Sequence, residues 1–194
     1  MKVFGIADAK FYPLISAGDR CAGGVEDPVY DDGVDIGCVQ ELTWDRELVE
    51  AELNGDDGTC ARVSRPKAIT FSIKHGGLDP ALIATLQGAT QTDFTVGDVN
   101  GTRTKVTCTD PRPRGAIIAQ SINHDMTEDM HIVIWNAEVL NGPGGSLANE
   151  AFYESTFEGK ADRSLYEGCC DWFDILEHDA LVDIPTVFPG TDDY

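Results

Sequence analysis

Hydrophobic and polar residues alternate with a period of two along much of this chain. Alternation of this kind is typical of β-strands that bury one face and expose the other. It is clearest over Ala68–His75, where Ile, Phe and Ile residues take turns with Thr, Ser and Lys. Further segments that predict strands lie at 115–123, 130–140, 151–161 and 171–177. Many short strands of this kind predict a mainly β fold, either a β-sandwich or a partial barrel.

The longest alternating segment, Gln40–Leu53, changes phase after Leu48. A change of phase inside a strand indicates a β-bulge or a bend. Asn54–Gly58 (NGDDG) follows and has the composition of a hairpin turn, and Pro66 on the returning strand marks an edge or a bend. We therefore expect a long, bent strand pair.

One short helix is signalled at about residues 79–87. Asp79 has the side chain of an N-cap, and Pro80 is tolerated at the first helical position because no helical partner is needed for its nitrogen. Gly88 is suited to end the helix. Two turns are too short to be stable alone, so we expect this helix to flank the sheet.

The two ends of the chain lack sustained periodicity. Residues 17–37 are rich in Gly and Asp, and residues 180–194 contain Pro185 and Pro189. We therefore predict an N-terminal arm or loop (1–37), a β domain (38–179) and an extended C-terminal arm (180–194).

The charge of the chain restricts its partners. With 14 Lys+Arg against 34 Asp+Glu the formal net charge is −20, which disfavours gripping nucleic acid or an anionic membrane. The charge is also segregated: residues 1–60 carry −10, residues 61–120 carry +4 and residues 121–194 carry −14. The basic middle part either lies on a solvated surface by chance or contacts acidic faces of neighbouring copies.

No run of apolar residues is long enough for a membrane-spanning helix, and the N-terminus lacks the apolar core of a signal peptide. We therefore expect a chain that starts in a cytoplasm, with its six cysteines reduced.

The sequence lacks the Gly-rich and Ser-centred motifs of phosphate-binding and hydrolytic enzymes, and it lacks closely spaced metal-ligand pairs. We therefore expect no catalytic activity, no metal and no cofactor. The four histidines are scattered, at His75, His124, His131 and His178.

Aromatic residues leave one binding function open. Trp44, Trp135 and Trp172, with Tyr153, would suit a carbohydrate platform, although each lies in an alternating strand where core packing is the simpler interpretation. The corresponding hypothesis is a carbohydrate- or receptor-binding β-sandwich, such as an adhesin.

The acidic strand pair suggests another use. A sheet with one apolar and one acidic face can line a water-filled pore when a ring of copies closes it, whereas the simpler alternative is an ordinary solvated face. The candidate pore-lining acids are Glu41, Asp45, Glu47, Glu50 and Glu52.

The order of these elements resembles that of the major tail protein, or tail tube protein, of long-tailed bacteriophages. The resemblance spans roughly residues 38–165. It rests on the acidic hairpin and on three segments: HGGLDPALIATLQGA (75–89), MHIVIWNAEVL (130–140) and AFYESTFEGKA (151–161).

The resemblance implies a β-sandwich with one flanking helix that assembles into hexameric rings. Inner strands of six subunits would close a β-barrel around a lumen, and stacked rings would form a tube in the virion tail, assembled in the cytoplasm of the host bacterium. The partners it implies are further copies of the chain, the tape measure protein, and tail terminator or tip proteins. Double-stranded DNA would pass through without specific binding, because acidic walls repel phosphates, and no membrane is involved.

The resemblance also gives roles to three groups of residues. The five acids would face the lumen. The hairpin tip would contact the next ring, and the basic residues of the middle part would contact adjacent subunits. The hairpin comprises Asn54, Gly55, Asp56, Asp57 and Gly58, and the basic set is Arg62, Arg65, Lys67, Arg103, Lys105, Arg112 and Arg114.

Overall fold

The computed structural model describes residues 3–19, 22, 25–55, 58–77, 79–107, 109–142, 153–165 and 171–189. In this part of the chain strands predominate and α1 is the one α-helix, which confirms the mainly β class. The elements are β1 (Val3–Ser16), β2 (Val29–Tyr30), β3 (Val34–Asp35), β4 (Val39–Gly55), β5 (Gly58–Gly76), α1 (Pro80–Gln87), β6 (Thr90–Val96), β7 (Val99–Lys105), β8 (Arg114–Asn123), β9 (Asp129–Val139), β10 (Glu154–Ala161) and β11 (Phe173–His178).

Nine strands form one antiparallel sheet, and β6 and β7 form a separate hairpin. The main path of the sheet runs β2-β1-β8-β9-β10-β5-β4, with β3 added to β1 and β11 added to β9. β10 pairs with residues 137–139 of β9, and β11 pairs with residues 129–134 along the same edge. The sheet therefore divides at β9 into two layers. It stays open rather than closing into a barrel, and the architecture is sandwich-like.

The main core lies between these layers and follows the predicted alternation. In β5, Ile69, Phe71 and Ile73 are at most 3% exposed. In β10, Phe157 and Ala161 are fully buried against the same cluster. Strict alternation works here because each of these two strands has one face on the core and the other in solvent.

β8 and β9 are instead buried on both faces. Their second face forms a smaller core with Tyr12, Trp135 and Ile184. Ile184 belongs to residues 181–189, which we call the C-terminal segment. Its backbone is fixed to the sheet, since Ile184 O accepts a hydrogen bond from Lys10 Nζ at 3.1 Å and Thr186 O accepts one from Gly33 N at 2.6 Å. The described part of the predicted C-terminal arm therefore packs on its own chain.

The N-terminal residues also differ from the expected arm. β1 pairs with β8 along most of its length, and Phe11 and Tyr12 are fully buried on opposite faces. Burial on both faces removes the simple alternation that would have indicated a strand. Within residues 17–37, only the short β2 and β3 are strands among the described positions, and both pair with β1.

A bulge in β9 changes which side chains share a face. Ile117 of β8 pairs with Ile134, whereas Gly115 pairs with Ala137, so β9 contains one extra residue between them. Asn136 lies there with a φ of 46°. Ile134 and Ala137 consequently both face the main core, while Trp135 faces the second core. Uniform alternation over 130–140 predicts that Trp135 and Ala137 share a face, and the bulge makes that prediction wrong.

The predicted helix is confirmed. Asp79 accepts a hydrogen bond from Ala81 N at 2.8 Å, and Gly88 ends the helix in the left-handed conformation at a φ of 65°. Leu82 and Leu86 pack into the main core. In the described part of the chain, no helix has both the length and the apolar character needed to cross a membrane.

The hairpin that follows the helix turns earlier than expected. The composition of residues 98–101 (DVNG) predicts a turn there, but Val96 pairs with Val99, so the turn consists of Gly97 and Asp98. Gly97 has a φ of 63°, a conformation that glycine adopts without steric cost.

Gly159 is required by close packing between two strands. It pairs with Phe71 across β10 and β5, and an added methyl group would overlap the Phe71 ring and the carbonyl oxygen of Glu138. We expect Gly159→Ala to lower the free energy of unfolding by about 1–3 kcal/mol, as measured by urea denaturation. Gly37→Ala, at a position with open space around it, should change stability by less than about 0.5 kcal/mol. Equal effects of the two substitutions would contradict this account.

His75 is a buried polar residue beside the main core. It is 3% exposed and its ring stacks on Phe157 with the centroids 4.7 Å apart. Its Nε2 has no hydrogen-bond partner. Burial lowers the pKa of His75 because a charged imidazole would lose its hydration there.

This burial predicts an acid sensitivity. The unfolded chain, with a His pKa of about 6.5, binds the proton more readily than the folded chain, so the free energy of unfolding should fall as pH drops below about 6.5. The slope per group is at most about 1.4 kcal/mol per pH unit. In urea denaturation between about pH 5 and 8, His75→Leu should reduce this slope, whereas substitution of the exposed His124 should not. An unchanged slope in His75→Leu would show that His75 is not the source.

Candidate functional site

The candidate site from the sequence is the β4–β5 pair, and a bulge divides it in two. Glu47 pairs with Ala68 and Leu48 with Pro66, so the extra residue at this point is Lys67 of β5. The irregularity predicted near Leu48 is therefore present, but the additional residue belongs to the partner strand. β4 itself keeps a regular alternation through this point.

Because β4 keeps its alternation, the five predicted acids do not share one face. Glu41, Asp45 and Glu47 lie on the solvent side of the layer, which we call the outer face. Glu50 and Glu52 alternate to the opposite side, continuing the side of Leu42 and Trp44. The structure thus brings three of the acids together and separates the other two.

The outer face carries bases as well as acids. Lys67 Nζ lies 2.7 Å and Lys160 Nζ 3.0 Å from carboxylate oxygens of Glu47. These hydrogen bonds lower the pKa of Glu47. Lys74 forms a similar ion pair with Glu154 at 2.8 Å. The acidity expected of this face is therefore partly neutralised within the chain.

Beyond the bulge the two strands continue as a two-stranded ribbon, residues 48–55 and 58–66. The described side chains of the ribbon are exposed on both faces. On one face Arg62 bridges Glu50 at 2.6 Å and Glu52 at 3.3 Å. On the other face Val49 and Val63 are 52% and 50% exposed.

The hairpin predicted at Asn54–Gly58 joins these strands. Asn54 pairs with Thr59 and Gly55 with Gly58. Asp56 and Asp57 lie outside the described residues. The role predicted for the hairpin as an inter-ring contact stays a prediction.

The seven predicted basic residues divide into two groups. Arg62 and Lys67 pair with acids of β4, and Arg114 pairs with Glu138 at 3.5 Å and Asp162 at 3.1 Å. The remaining four form no ion pair with another described residue and are exposed. They are Arg65, Arg103, Lys105 and Arg112.

The tryptophans lie in three different environments. Trp135 is buried in the second core and donates to Asp174 from Nε1 at 2.6 Å. Trp172 is half-buried beside the main core. Trp44 is 37% exposed, with its ring centroid 6.5 Å from that of Phe173. No common aromatic surface is formed by the three residues.

Sequence reasoning missed a buried polar cluster. Asp129 and His131 lie two residues apart on β9, and His178 of β11 pairs directly with Asp129. Asp129 accepts hydrogen bonds from Gln120 Nε2 and Val182 N, both at 2.7 Å. A facing pair on separate strands leaves no spacing signal in a sequence. Only Asp129-x-His131 was visible, and such a pair is common.

Burial disfavours the charged forms of Asp129 and His131, and hydrogen bonds counteract it for Asp129. Hydration loss opposes the charge of Asp129, but hydrogen bonds from Val182, Gln120 and His178 leave its pKa below the usual range. Burial lowers the pKa of His131. His178 Nδ1 lies 2.6 Å from Asp129 Oδ1. The cluster therefore holds a charged carboxylate in contact with imidazoles.

Among the cysteines, Cys38 is the one whose side chain lies in the described part of the chain. The thiol of Cys38 is free and exposed. The side chains of the other five cysteines lie outside the described residues.

Comparison with known proteins finds similarity at the level of structure. No protein-family model matches the sequence, and no curated protein matches it. Among solved structures, the chain is similar to the anti-feeding prophage cap, the tube-terminating cap of AFP, determined by cryo-EM. The two share 13% sequence identity, and the match covers 75% of this chain and 83% of that chain with a TM-score of 0.44.

Proposed function

We propose that this chain is a structural virion protein that assembles into stacked hexameric rings, forming the tail tube of a long-tailed bacteriophage. Six-fold symmetry and stacking are taken from the resemblance of the sequence. As a structural component the chain needs neither a catalytic residue nor a cofactor. Its partners would be further copies of itself, the tape measure protein, and terminator or tip proteins.

The observation that carries the proposal is that β4 has an edge unpaired with any described strand and extends into an exposed two-stranded ribbon. β4 is 17 residues long and, among the described strands, pairs only with β5. An exposed edge of this length is a template for pairing with another chain. A two-stranded ribbon is also marginally stable in water by itself. Both features are expected of a subunit whose neighbours complete the sheet.

Exposed apolar side chains support association of several copies. Val49 and Val63 lie on the ribbon, while Val96 and Val99 at the tip of the β6–β7 hairpin are 68% and 72% exposed. Apolar residues concentrated on two projecting hairpins are typical of contact surfaces. We infer that a second copy of the chain covers these side chains. A ring needs two different contact surfaces on each subunit, and the two hairpins would provide them.

The assembly test uses the purified chain at high concentration. We expect sedimentation velocity to give a species six times the 21.0 kDa chain, and negative-stain microscopy to show rings or tubes. Val49→Lys with Val63→Lys should abolish assembly while leaving thermal unfolding of the monomer nearly unchanged, because both residues are exposed. Met126→Lys, at an exposed apolar position in the β8–β9 turn, is the control. A wild-type chain that stays monomeric at every concentration would contradict the proposal.

The separation of the acids gives a sharper test of the conduit. If the outer face lines the lumen, Glu41→Lys with Asp45→Lys should slow genome ejection from virions, because positive walls retain phosphates. Glu50→Lys with Glu52→Lys makes the same charge change on the opposite side of β4 and should leave ejection rates near wild type. Slowing only by the second pair would assign the lumen to the other side.

The alternative function is a carbohydrate- or receptor-binding β-sandwich. Trp44 is the partly exposed residue that it would use, in a groove shared with Leu42 and Met130. A glycan-binding screen distinguishes the two functions. Binding that Trp44→Ala abolishes without loss of folding would favour the alternative.

A further inference from the structure

The buried cluster of Asp129, His131 and His178 has the composition of a metal site. A carboxylate oxygen and one nitrogen from each imidazole all lie within 4.8 Å of one another. The side chains of Asp129 and His131 are 0% exposed, and that of His178 is 26% exposed. The three residues come from two strands, so the arrangement depends on the pairing of β11 with β9.

The charge of this cluster is the reason to look for a cation. Asp129 is a fully buried carboxylate, and within the described part of the chain no Lys or Arg forms an ion pair with it. A buried charge without a compensating charge is costly. Hydrogen bonds from Gln120, Val182 and His178 reduce that cost, but they supply no full positive charge unless an imidazole is protonated.

We propose that Asp129, His131 and His178 bind a divalent transition-metal ion of the zinc class. Two imidazole nitrogens and one carboxylate oxygen are a ligand set that Zn²⁺ accepts. Three protein ligands leave a fourth position open to water, as in other zinc sites with three protein ligands. Gln120 Nε2, 2.7 Å from Asp129 Oδ2, holds the carboxylate from outside, as outer partners of metal ligands do.

Without the ion, hydrogen bonds occupy the same atoms. His178 Nδ1 contacts Asp129 Oδ1 at 2.6 Å, and His131 Nε2 contacts Val182 O. Binding requires each neutral imidazole to present a lone pair at that nitrogen and to carry its proton on the other ring nitrogen. The ion then replaces two hydrogen bonds with metal–ligand bonds and compensates the Asp129 charge.

The position of the site gives the ion a structural task. Asp129 and His131 belong to β9, His178 ends β11, and Val182 belongs to the C-terminal segment. A single ion therefore ties β9 to β11, and the hydrogen bond from Val182 N to Asp129 Oδ2 links the C-terminal segment to the same site. The proposal is independent of tube assembly, because every ligand comes from one chain.

The test uses the full-length chain stripped with chelator and titrated with ZnCl₂. We expect one ion per chain by calorimetry and a rise in Tm. At 100 times the Kd, the ratio of folded to unfolded chain should increase about a hundredfold. Mg²⁺, which prefers oxygen ligands, should have a much smaller effect. Absence of zinc-dependent heat and of a Tm shift would overturn the proposal, as would equal stabilisation by Mg²⁺.

The matched variants separate ligation from folding. His178→Gln retains an amide donor toward Asp129 but removes a metal ligand, and its partial exposure makes it the safest position to change. Zinc affinity should fall by more than the 10- to 100-fold that is roughly typical of an outer-shell substitution, while the metal-free Tm stays near wild type. His124→Gln, in an exposed turn, should bind as the wild type does. Unchanged affinity in His178→Gln, or an equal loss in His124→Gln, would also overturn the assignment. The visible spectrum of the Co²⁺-loaded chain provides a second readout of ligand number.

Discussion

Burial of β8 and β9 on both faces is the constraint on which the rest of this fold depends. Strands of this kind require a covering layer on each side, since exposed apolar surface on either face would oppose folding. The layer formed by β10, β5 and β4 covers one side, and the C-terminal segment covers the other. Segments remote in the sequence are thereby held to the same two strands, which explains why both ends of the described chain belong to the folded unit.

Prediction from the sequence succeeded where one face of an element meets water. β5, β10 and α1 were located from alternation or from capping residues. It was incomplete where both faces are covered: β8 and β9 were located as strands, but β1 and the faces of β9 were not predicted correctly. β1 lacks a two-residue period for that reason, and the bulge at Asn136 shifts the faces of β9 without any mark in composition. The C-terminal segment carries no periodicity because its backbone, rather than a repeated side-chain face, makes many of its contacts.

The candidate site shows the same limit at finer scale. Alternation indicated an irregularity near Leu48 and placed it within β4, whereas the extra residue, Lys67, belongs to β5. The strand that holds this residue decides whether Glu50 shares a face with Glu47. The ion pair between Lys160 and Glu47 could not be predicted either, because the two residues are more than a hundred positions apart in the sequence. The cluster around Asp129 also results from the pairing of two separate strands. The periodicity of a sequence does not indicate which strands pair.

The bulge at Lys67 affects the direction of the ribbon without affecting which residues of β4 and β5 pair. Glu47 pairs with Ala68 and Leu48 with Pro66, so a chain lacking residue 67 would retain every one of these pairings in a regular ladder. What such a chain would lose is the local bend and added twist that a bulge imposes. The direction in which the ribbon projects is therefore governed by the length of β5 at one point. A single-residue deletion would change the direction of the ribbon while leaving its pairing register intact.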